Sequence, residues 1–232
     1  GMNTARCNSV FRDVNSSDVV KSVFEVHFSE ASSVADLTYG KGAFWKNVPD
    51  WKNVPENLTV VSLDQNPRYG CSVKADCRSV PLGDKSVDVV IFDPPHQHGV
   101  SLSTTLRQQE DFGRLSSQTE IHALVRDTAP EIRRISRVGA IIKITDMVEG
   151  GRFMPSHILI ASSLSTVLGW PADMAILDSG VVRPTNHERV LHLRHAHSYF
   201  MVYKWNEKTP RSCLVRPTVE KLKGFIFAAT GA

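Results

Sequence analysis

The chain has 232 residues, of which 41% are hydrophobic and 22% are charged, and its formal net charge is +3. This composition is typical of a globular protein with a sizeable core and excludes wholesale disorder. No apolar run approaches the roughly 20 residues that cross a bilayer, and no basic-then-apolar leader opens the sequence, so we expect no membrane segment.

The cysteine and histidine patterns further limit the kinds of site that we expect in this chain. Four cysteines are scattered without a C-x-x-C pair, which suits a reducing cytoplasm and predicts neither a disulfide framework nor a zinc cluster. We therefore expect a cytoplasmic location. Several histidines lie close together late in the chain, but they lack a partnering Asp, Glu or Cys pattern, so we predict no metal site. They are His187, His192, His195 and His197.

The charge is unevenly placed along the sequence. Residues 181–232 hold nine Lys or Arg against three Asp or Glu. A basic C-terminal quarter is compatible with a nucleic-acid partner, and it is equally compatible with a solvated basic tail.

The first predicted elements are a helix and a strand that leads into a glycine turn. Residues 1–17 have no clear pattern, and a helical apolar stripe follows from Val19 to His27. Residues 34–37 are predicted to form a short strand. The turn after it has the sequence Asp36-Leu37-Thr38-Tyr39-Gly40-Lys41-Gly42.

The glycine turn indicates a ligand site. Gly40 and Gly42 permit positive φ angles and a close approach of the backbone to a ligand. The turn is not the dinucleotide fingerprint, because Trp45 stands where a third glycine is needed, and no Gly-Lys-Ser/Thr of a Walker loop follows. Asp36 would repel a phosphate, so the turn favours a ligand that carries positive charge and lacks phosphates.

Three further predicted strands each end at an acid. Residues 58–63 precede Asp64, residues 72–75 precede Asp76, and the apolar run 87–92 precedes Asp93. Ligands of open α/β sheets bind outside the carboxyl ends of the strands. We therefore expect these acids and Asp36 to converge on one crevice.

The residues after the third of these strands are Asp93-Pro94-Pro95-His96. The two prolines stop the strand and stiffen the turn, so the backbone carbonyls there are not consumed by a helix. A carboxylate, free carbonyls and a flat ring next to each other suit a planar group that bears an NH2, such as a nucleobase.

The second half of the chain continues the alternation of strands and helices. A polar loop at 96–117 precedes an amphipathic helix at 117–136, which Pro130 should kink or split. A strand at 138–145, a helix at 156–168 that Ser156 caps, and strands at 174–177 and 198–203 follow. This order predicts an α/β protein with a mostly parallel sheet and helices on both faces.

Two motifs together resemble those of the class I S-adenosylmethionine-dependent methyltransferases that act on adenine N6 and cytosine N4 in DNA. Residues 36–42 resemble the family's Asp-Pro-Phe-Ala-Gly-Ser-Gly cofactor loop, and residues 93–96 resemble its Asp/Asn/Ser-Pro-Pro-aromatic catalytic motif. Residues 194–203 resemble a late strand segment of the family, with Ser198 where Glu is usual. The resemblance covers roughly residues 18–205 and implies a Rossmann-like methyltransferase domain with a seven-stranded sheet, flanked by an irregular segment at 1–17 and a basic appendage at 206–232.

The resemblance also implies roles for individual residues. Asp93, Pro94, Pro95 and His96 would be catalytic, and His96 would stack on the flipped base, with Phe44 or His98 as a candidate to assist it. The cofactor S-adenosylmethionine would be bound at two groups of positions. They are Asp36, Leu37, Thr38, Tyr39, Gly40 and Gly42 in the loop, and Asp64, Asp76 and Cys77 after the next strands.

The implied activity is methyl transfer to an exocyclic amino group of a DNA base, with adenine preferred. Two alternatives stay open: an RNA methyltransferase that acts on guanine N2 or adenine N6, and an inactive nucleic-acid-binding module of the same fold. The second alternative stays open because the chain departs from the family motifs at two places. His96 replaces a larger aromatic ring, and Thr38-Tyr39 replaces Phe-Ala. The sequence does not indicate an oligomeric state.

Overall fold

The computed structural model describes residues 8–45, 58–66, 70–95, 117–178 and 197–205. These residues form three α-helices and ten strands. In chain order they are β1 (Val10–Arg12), α1 (Ser16–His27), β2 (Ser33–Asp36), β3 (Thr59–Asp64), β4 (Val73–Lys74), β5 (Val87–Phe92), α2 (Gln118–Ile135), β6 (Ser136–Ile144), β7 (Met147–Glu149), β8 (Arg152–Met154), α3 (Ser156–Leu164), β9 (Asp173–Asp178) and β10 (His197–Lys204).

Eight strands form one sheet in the order β1-β9-β10-β6-β5-β2-β3-β4. Within this sheet β10 runs antiparallel to both of its neighbours, and the other pairs are parallel. The α/β, Rossmann-like fold that the sequence predicts is confirmed. The eighth strand is β1, which pairs with β9 at the edge and lies in the segment 1–17 that was expected to be irregular.

Helix α1 begins at Ser16, and its first turn is capped by Asn15. The Asn15 side chain accepts a hydrogen bond from the Asp18 backbone N–H, and the Asp18 side chain accepts one from the Asn15 N–H. This reciprocal pair satisfies two N–H groups that a helix start leaves without partners. The buried stripe of Val19, Val23 and Phe24 then faces the sheet.

Pro130 was predicted to kink or split helix α2; the helix is not split, and the kink stays a prediction. Proline removes one backbone hydrogen bond of the helix interior. The residues around it, Ala129 and Ile132, are fully buried against the sheet, and this packing offsets the loss. Ser117 caps the helix through a hydrogen bond from the Glu120 N–H.

Two further details of the second half differ from the prediction. Helix α3 ends at Leu164 rather than at residue 168, and Ser156 is its first residue instead of its cap. The Ser156 hydroxyl accepts a hydrogen bond from the Gln118 side-chain amide at 2.7 Å. A hairpin of β7 and β8, whose turn is Gly150-Gly151, was not predicted.

The core lies on both faces of the sheet. One apolar cluster packs α2 and α3 against one face, and a second packs α1 and Phe44 against the other. Strand β5 is buried along its whole length, as expected for a central parallel strand. Among the described residues, no helix combines the length and the apolarity needed to traverse a lipid bilayer.

Candidate active site

The order of the strands places the candidate site at a topological switch point. From β2 the chain moves outward to β3 and β4, whereas from β5 it moves the other way to β6. The connections after β2 and β5 therefore leave the sheet in opposite directions, and ligands of open α/β sheets bind in the crevice that such a switch point forms outside the carboxyl ends of the strands. The glycine turn follows β2, and Asp93 follows β5, so both motifs border this crevice.

The glycine turn is held between the two strands that flank β2. The Leu37 N–H donates to the Ile91 carbonyl, and the Tyr39 N–H donates to the Leu63 carbonyl, both at 3.0 Å. The turn then reverses through Gly40 and Gly42, whose φ angles are +50° and +66°. These left-handed values are the reason why glycine is needed at both positions.

Asp64, at the end of β3, accepts hydrogen bonds from two backbone groups. Its Oδ2 accepts from the Gly40 N–H at 2.7 Å, and its Oδ1 accepts from the Asn66 N–H at 2.8 Å. The carboxylate thereby ties the glycine turn to β3. Each oxygen keeps a further lone pair that could accept a hydroxyl hydrogen.

Asp36 is fully buried beneath the turn. Its Oδ1 accepts from the Thr38 N–H at 3.1 Å, and its Oδ2 accepts from the Trp45 indole N–H at 2.8 Å. The pKa of Asp36 is raised to about 7, mainly by burial and to a smaller extent by the neighbouring carboxylates of Asp93 and Asp64, while these two hydrogen bonds act in the opposite direction. Asp36 therefore shapes the turn from below, and its contact with a cofactor stays a prediction.

Asp93 is hydrogen-bonded to the glycine turn and to a lysine of β6 that the sequence analysis did not single out. Its backbone N–H donates to the Thr38 hydroxyl at 2.8 Å, and its Oδ2 lies 2.9 Å from the ammonium of Lys143 on β6. Pro94 is buried and Pro95 is partly buried. His96 and His98 lie outside the described residues.

Lys143 was missed by sequence reasoning, although one signal was present. It is a cation within the otherwise apolar run from Ala140 to Ile144. A lysine in a buried strand needs a partner. The sequence alone could not show that the partner is Asp93, because β5 and β6 come together only in the folded sheet.

Asp76 and Cys77 lie after β4, at the outer side of the crevice. Asp76 accepts from the Arg78 backbone N–H and from its guanidinium, with a shortest distance of 2.6 Å. These bonds hold the pKa of Asp76 below its usual range. The Cys77 thiol lies 3.3 Å from the Thr128 hydroxyl on α2, and burial raises its pKa.

Phe44 is placed where it cannot stack on a base. Its side chain is buried and packs edge-on against Phe200, with ring centroids 6.3 Å apart. The suggestion that Phe44 assists His96 is therefore wrong, because the ring belongs to the core below the crevice.

A second polar cluster, also missed by the sequence analysis, follows the end of β6. Asp146 is almost fully buried, and each of its carboxylate oxygens lies 2.8 Å from His157 Nδ1. The His157 ring stacks on Tyr199 with centroids 4.0 Å apart, and the Tyr199 hydroxyl lies 2.9 Å from His197 Nε2. Burial, with the nearby Asp146 carboxylate, raises the pKa of Tyr199 to about 12.

No model of a known protein family and no curated protein matches the chain. Solved structures with a similar fold include a SAM-dependent methyltransferase from Aquifex aeolicus, at 14% identity and a TM-score of 0.42, over 82% of this chain and 89% of that chain. A chain from the Haloferax volcanii complex of the Trm112 methyltransferase activator has 14% identity and a TM-score of 0.49, over 84% of this chain and 90% of that chain.

A third similar structure comes from Thermus thermophilus, carries the name of a DNA modification methylase and contains S-adenosyl-L-methionine. Its identity is 18% and its TM-score 0.39, over 59% of this chain and 54% of that chain, so the present chain spans about half of its length. At these scores the likenesses concern the fold, and the chemistry of the site rests on this chain's own residues.

Proposed function

We propose that this chain is an S-adenosylmethionine-dependent methyltransferase that modifies the exocyclic amino group of a DNA base, with adenine N6 preferred. One observation carries the proposal: the Asp93 N–H donates to the Thr38 hydroxyl at 2.8 Å. This bond joins the glycine turn to the catalytic motif, so a methyl donor held by the turn would lie beside an acceptor of the Asp-Pro-Pro type.

The residues around the turn fit a cofactor with an uncharged sugar and a cationic centre. Asp64 would accept the ribose hydroxyls with its remaining lone pairs, and Asp76 the adenine amino group beside Cys77. A Cβ at Gly42 would stand 2.8 Å from the Tyr39 hydroxyl oxygen, so a side chain there would displace the Tyr39 ring. Leu37, Thr38 and Gly40 would line the methionine part through their backbone.

S-adenosylmethionine supplies an electrophilic methyl group when it is bound. The task of the protein is to make an amino nitrogen attack that methyl, although its lone pair is delocalised into the base. Asp93 and the Pro94 carbonyl would accept the two amino hydrogens and so localise the lone pair on nitrogen. Asp93 would also lower the energy of the positive charge that develops there, while the stiff prolines fix the approach in line.

The proposed methyl transfer needs neither a metal nor an oxidant. The N–C bond forms as the S–C bond breaks with its electron pair left on sulfur, and the nitrogen then releases one proton. The Asp93 carboxylate or water would take this proton. His96 would stack on the base, and this role stays a prediction.

A DNA target is supported by the basic quarter at 181–232, whose charge suits a phosphate backbone. The same charge suits RNA, so the test includes both polymers. The absence of a metal requirement and the cytoplasmic location likewise stay predictions from the sequence.

The test measures transfer of a tritiated methyl group from S-adenosylmethionine to unmethylated DNA and to bulk RNA. We expect incorporation into DNA, chiefly as N6-methyladenine. Asp93→Ala should reduce the rate roughly 1000-fold, because it removes the acceptor that acts on the reacting nitrogen. Its affinity for the cofactor, measured by calorimetry, should stay within about threefold.

Asp127→Ala is the matched control, because Asp127 is an exposed acid on α2 that pairs with Arg126. It should leave the rate unchanged. Incorporation into RNA alone would move the proposal to the RNA alternative. Cofactor binding without transfer to either polymer would support the inactive module, and equal rates for wild type and Asp93→Ala would refute the assigned role of Asp93.

A further inference from the structure

Lys143 is placed in β6 among residues that are shielded from water. Ala140, Ile141, Ile142 and Ile144 are all fully buried, and the Lys143 side chain is 16% exposed. Taking an ammonium out of water costs free energy unless the charge is paired and hydrogen-bonded. The position of Lys143 therefore requires an explanation that apolar packing does not give.

The Lys143 ammonium lies near two aromatic rings and one carboxylate. The Nζ atom lies 5.6 Å from the centroid of the Phe44 ring and 5.8 Å from that of Phe200. These rings provide a cation–π environment, and they pack against each other. The ammonium points from them to Asp93 Oδ2, at 2.9 Å.

Asp93 is the carboxylate that the proposed reaction uses, and it is itself only 23% exposed. An ionised carboxylate offers about four lone-pair sites, of which one ammonium contact uses one. The pair therefore compensates the charge of Asp93 and fixes its Oδ2 atom.

We propose that Lys143 is a positioning residue for the methyl transfer, because its ammonium holds Asp93 Oδ2 and orients the carboxylate toward the target amino group. This inference rests on the proposed function. The motif that residues 93–96 resemble also admits Asn at its first position. An Asn offers a neutral acceptor that needs no counter-ion, whereas a half-buried Asp does, so the contribution of Lys143 is specific to an acid at position 93.

The test is a double-mutant cycle with Lys143→Met, Asp93→Asn and the combination of both, measured as kcat and KM for transfer to DNA. Lys143→Met should lower kcat roughly 30-fold when Asp93 is present, with KM for S-adenosylmethionine within about threefold. In the Asp93→Asn background the same change should alter kcat less than about twofold. Lys143→Arg should retain most of the activity, because it keeps the charge.

The cycle separates the two proposals. The role of Lys143 would be overturned if Lys143→Met lowered kcat equally with Asp93 present and in the Asp93→Asn background. It would also be overturned if Lys143→Met left kcat unchanged. Either result would leave the proposed function intact. A wild-type protein that transfers no methyl group to DNA or RNA overturns both. If Asp93→Asn is inactive, the Lys143→Arg variant decides: activity near wild type supports the proposal, and a loss equal to that of Lys143→Met refutes it. Thermal unfolding of each variant shows whether the fold is kept.

Discussion

The carboxyl edge of the sheet has two halves that use their acids differently. In the half formed by β2, β3 and β5, Asp36 and Asp64 accept hydrogen bonds from backbone N–H groups of the glycine turn and its neighbours. In the half formed by β6, α3 and β10, the buried Asp146 is paired with the imidazole of His157.

The difference shows that the role of a strand-end acid depends on its hydrogen-bond partners. An acid that binds backbone groups determines the path of the chain and keeps acceptors near the crevice. An acid whose two oxygens both face one imidazole connects β6 to α3. We therefore expect changes in the first half to alter ligand binding, and changes in the second half to alter stability alone.

The largest expected effect is the pH dependence that Asp36 contributes to stability. Its folded-state pKa is raised to about 7 from 3.8, so the folded chain binds this proton more tightly than the unfolded chain. The stabilisation is present below about pH 4 and is lost as the pH rises through about 7. Between about pH 5 and about pH 8 this amounts to roughly 3 kcal/mol, because each pKa unit corresponds to about 1.4 kcal/mol.

The measurement is urea unfolding of wild type and Asp36→Asn across this range. The amide must place an N–H toward either Thr38 or Trp45, which destabilises the variant by an amount that does not depend on pH. The difference in unfolding free energy between the two proteins should therefore shift in favour of the variant by roughly 3 kcal/mol as the pH rises. A constant difference would show that Asp36 is ionised throughout.

The second prediction concerns Asp146. Asp146→Asn should destabilise the fold by about 2 kcal/mol, because the buried pair with His157 loses its charge and one of its contacts. The rate of the proposed methyl transfer should change less than about threefold. Chemical unfolding and the transfer assay on the same variant measure the two quantities.

Asp173→Asn is the control for this prediction. Asp173 also pairs with a histidine, His27, at 2.8 Å, but its side chain is 53% exposed, so the variant should lose less than about 1 kcal/mol. A large loss of rate at Asp146→Asn with unchanged stability would mean that the second half belongs to the active site.

The same two halves show what the sequence could and could not predict. The glycine turn and the Asp-Pro-Pro motif are runs of consecutive residues, so their chemistry is visible without a structure. The pair of Asp93 and Lys143 depends on the register between β5 and β6, which aligns Phe92 with Ile142. No local pattern encodes that register.

The fold was predictable to a similar extent. Apolar runs that end at acids predicted the central parallel strands, since such strands are buried on both faces. Strand β1 has three residues, too few for a period of two to be recognised. The hairpin at 147–154 did carry a signal in Gly150-Gly151, because paired glycines between short strands indicate a turn.

The smallest expected effect tests whether the glycine turn approaches a ligand as closely as proposed. Gly42→Ala places a Cβ 2.8 Å from the Tyr39 hydroxyl oxygen at a φ of +66°, which L-residues other than glycine adopt at a cost of about 1–2 kcal/mol. If the turn relaxes away from this strain, S-adenosylmethionine should bind roughly tenfold more weakly by calorimetry, since 1.4 kcal/mol corresponds to a factor of about ten. Gly83→Ala is the control, because a Cβ there meets no atom within 4 Å. Equal affinities for the two variants would refute the proposal that the cofactor approaches the backbone closely at Gly42.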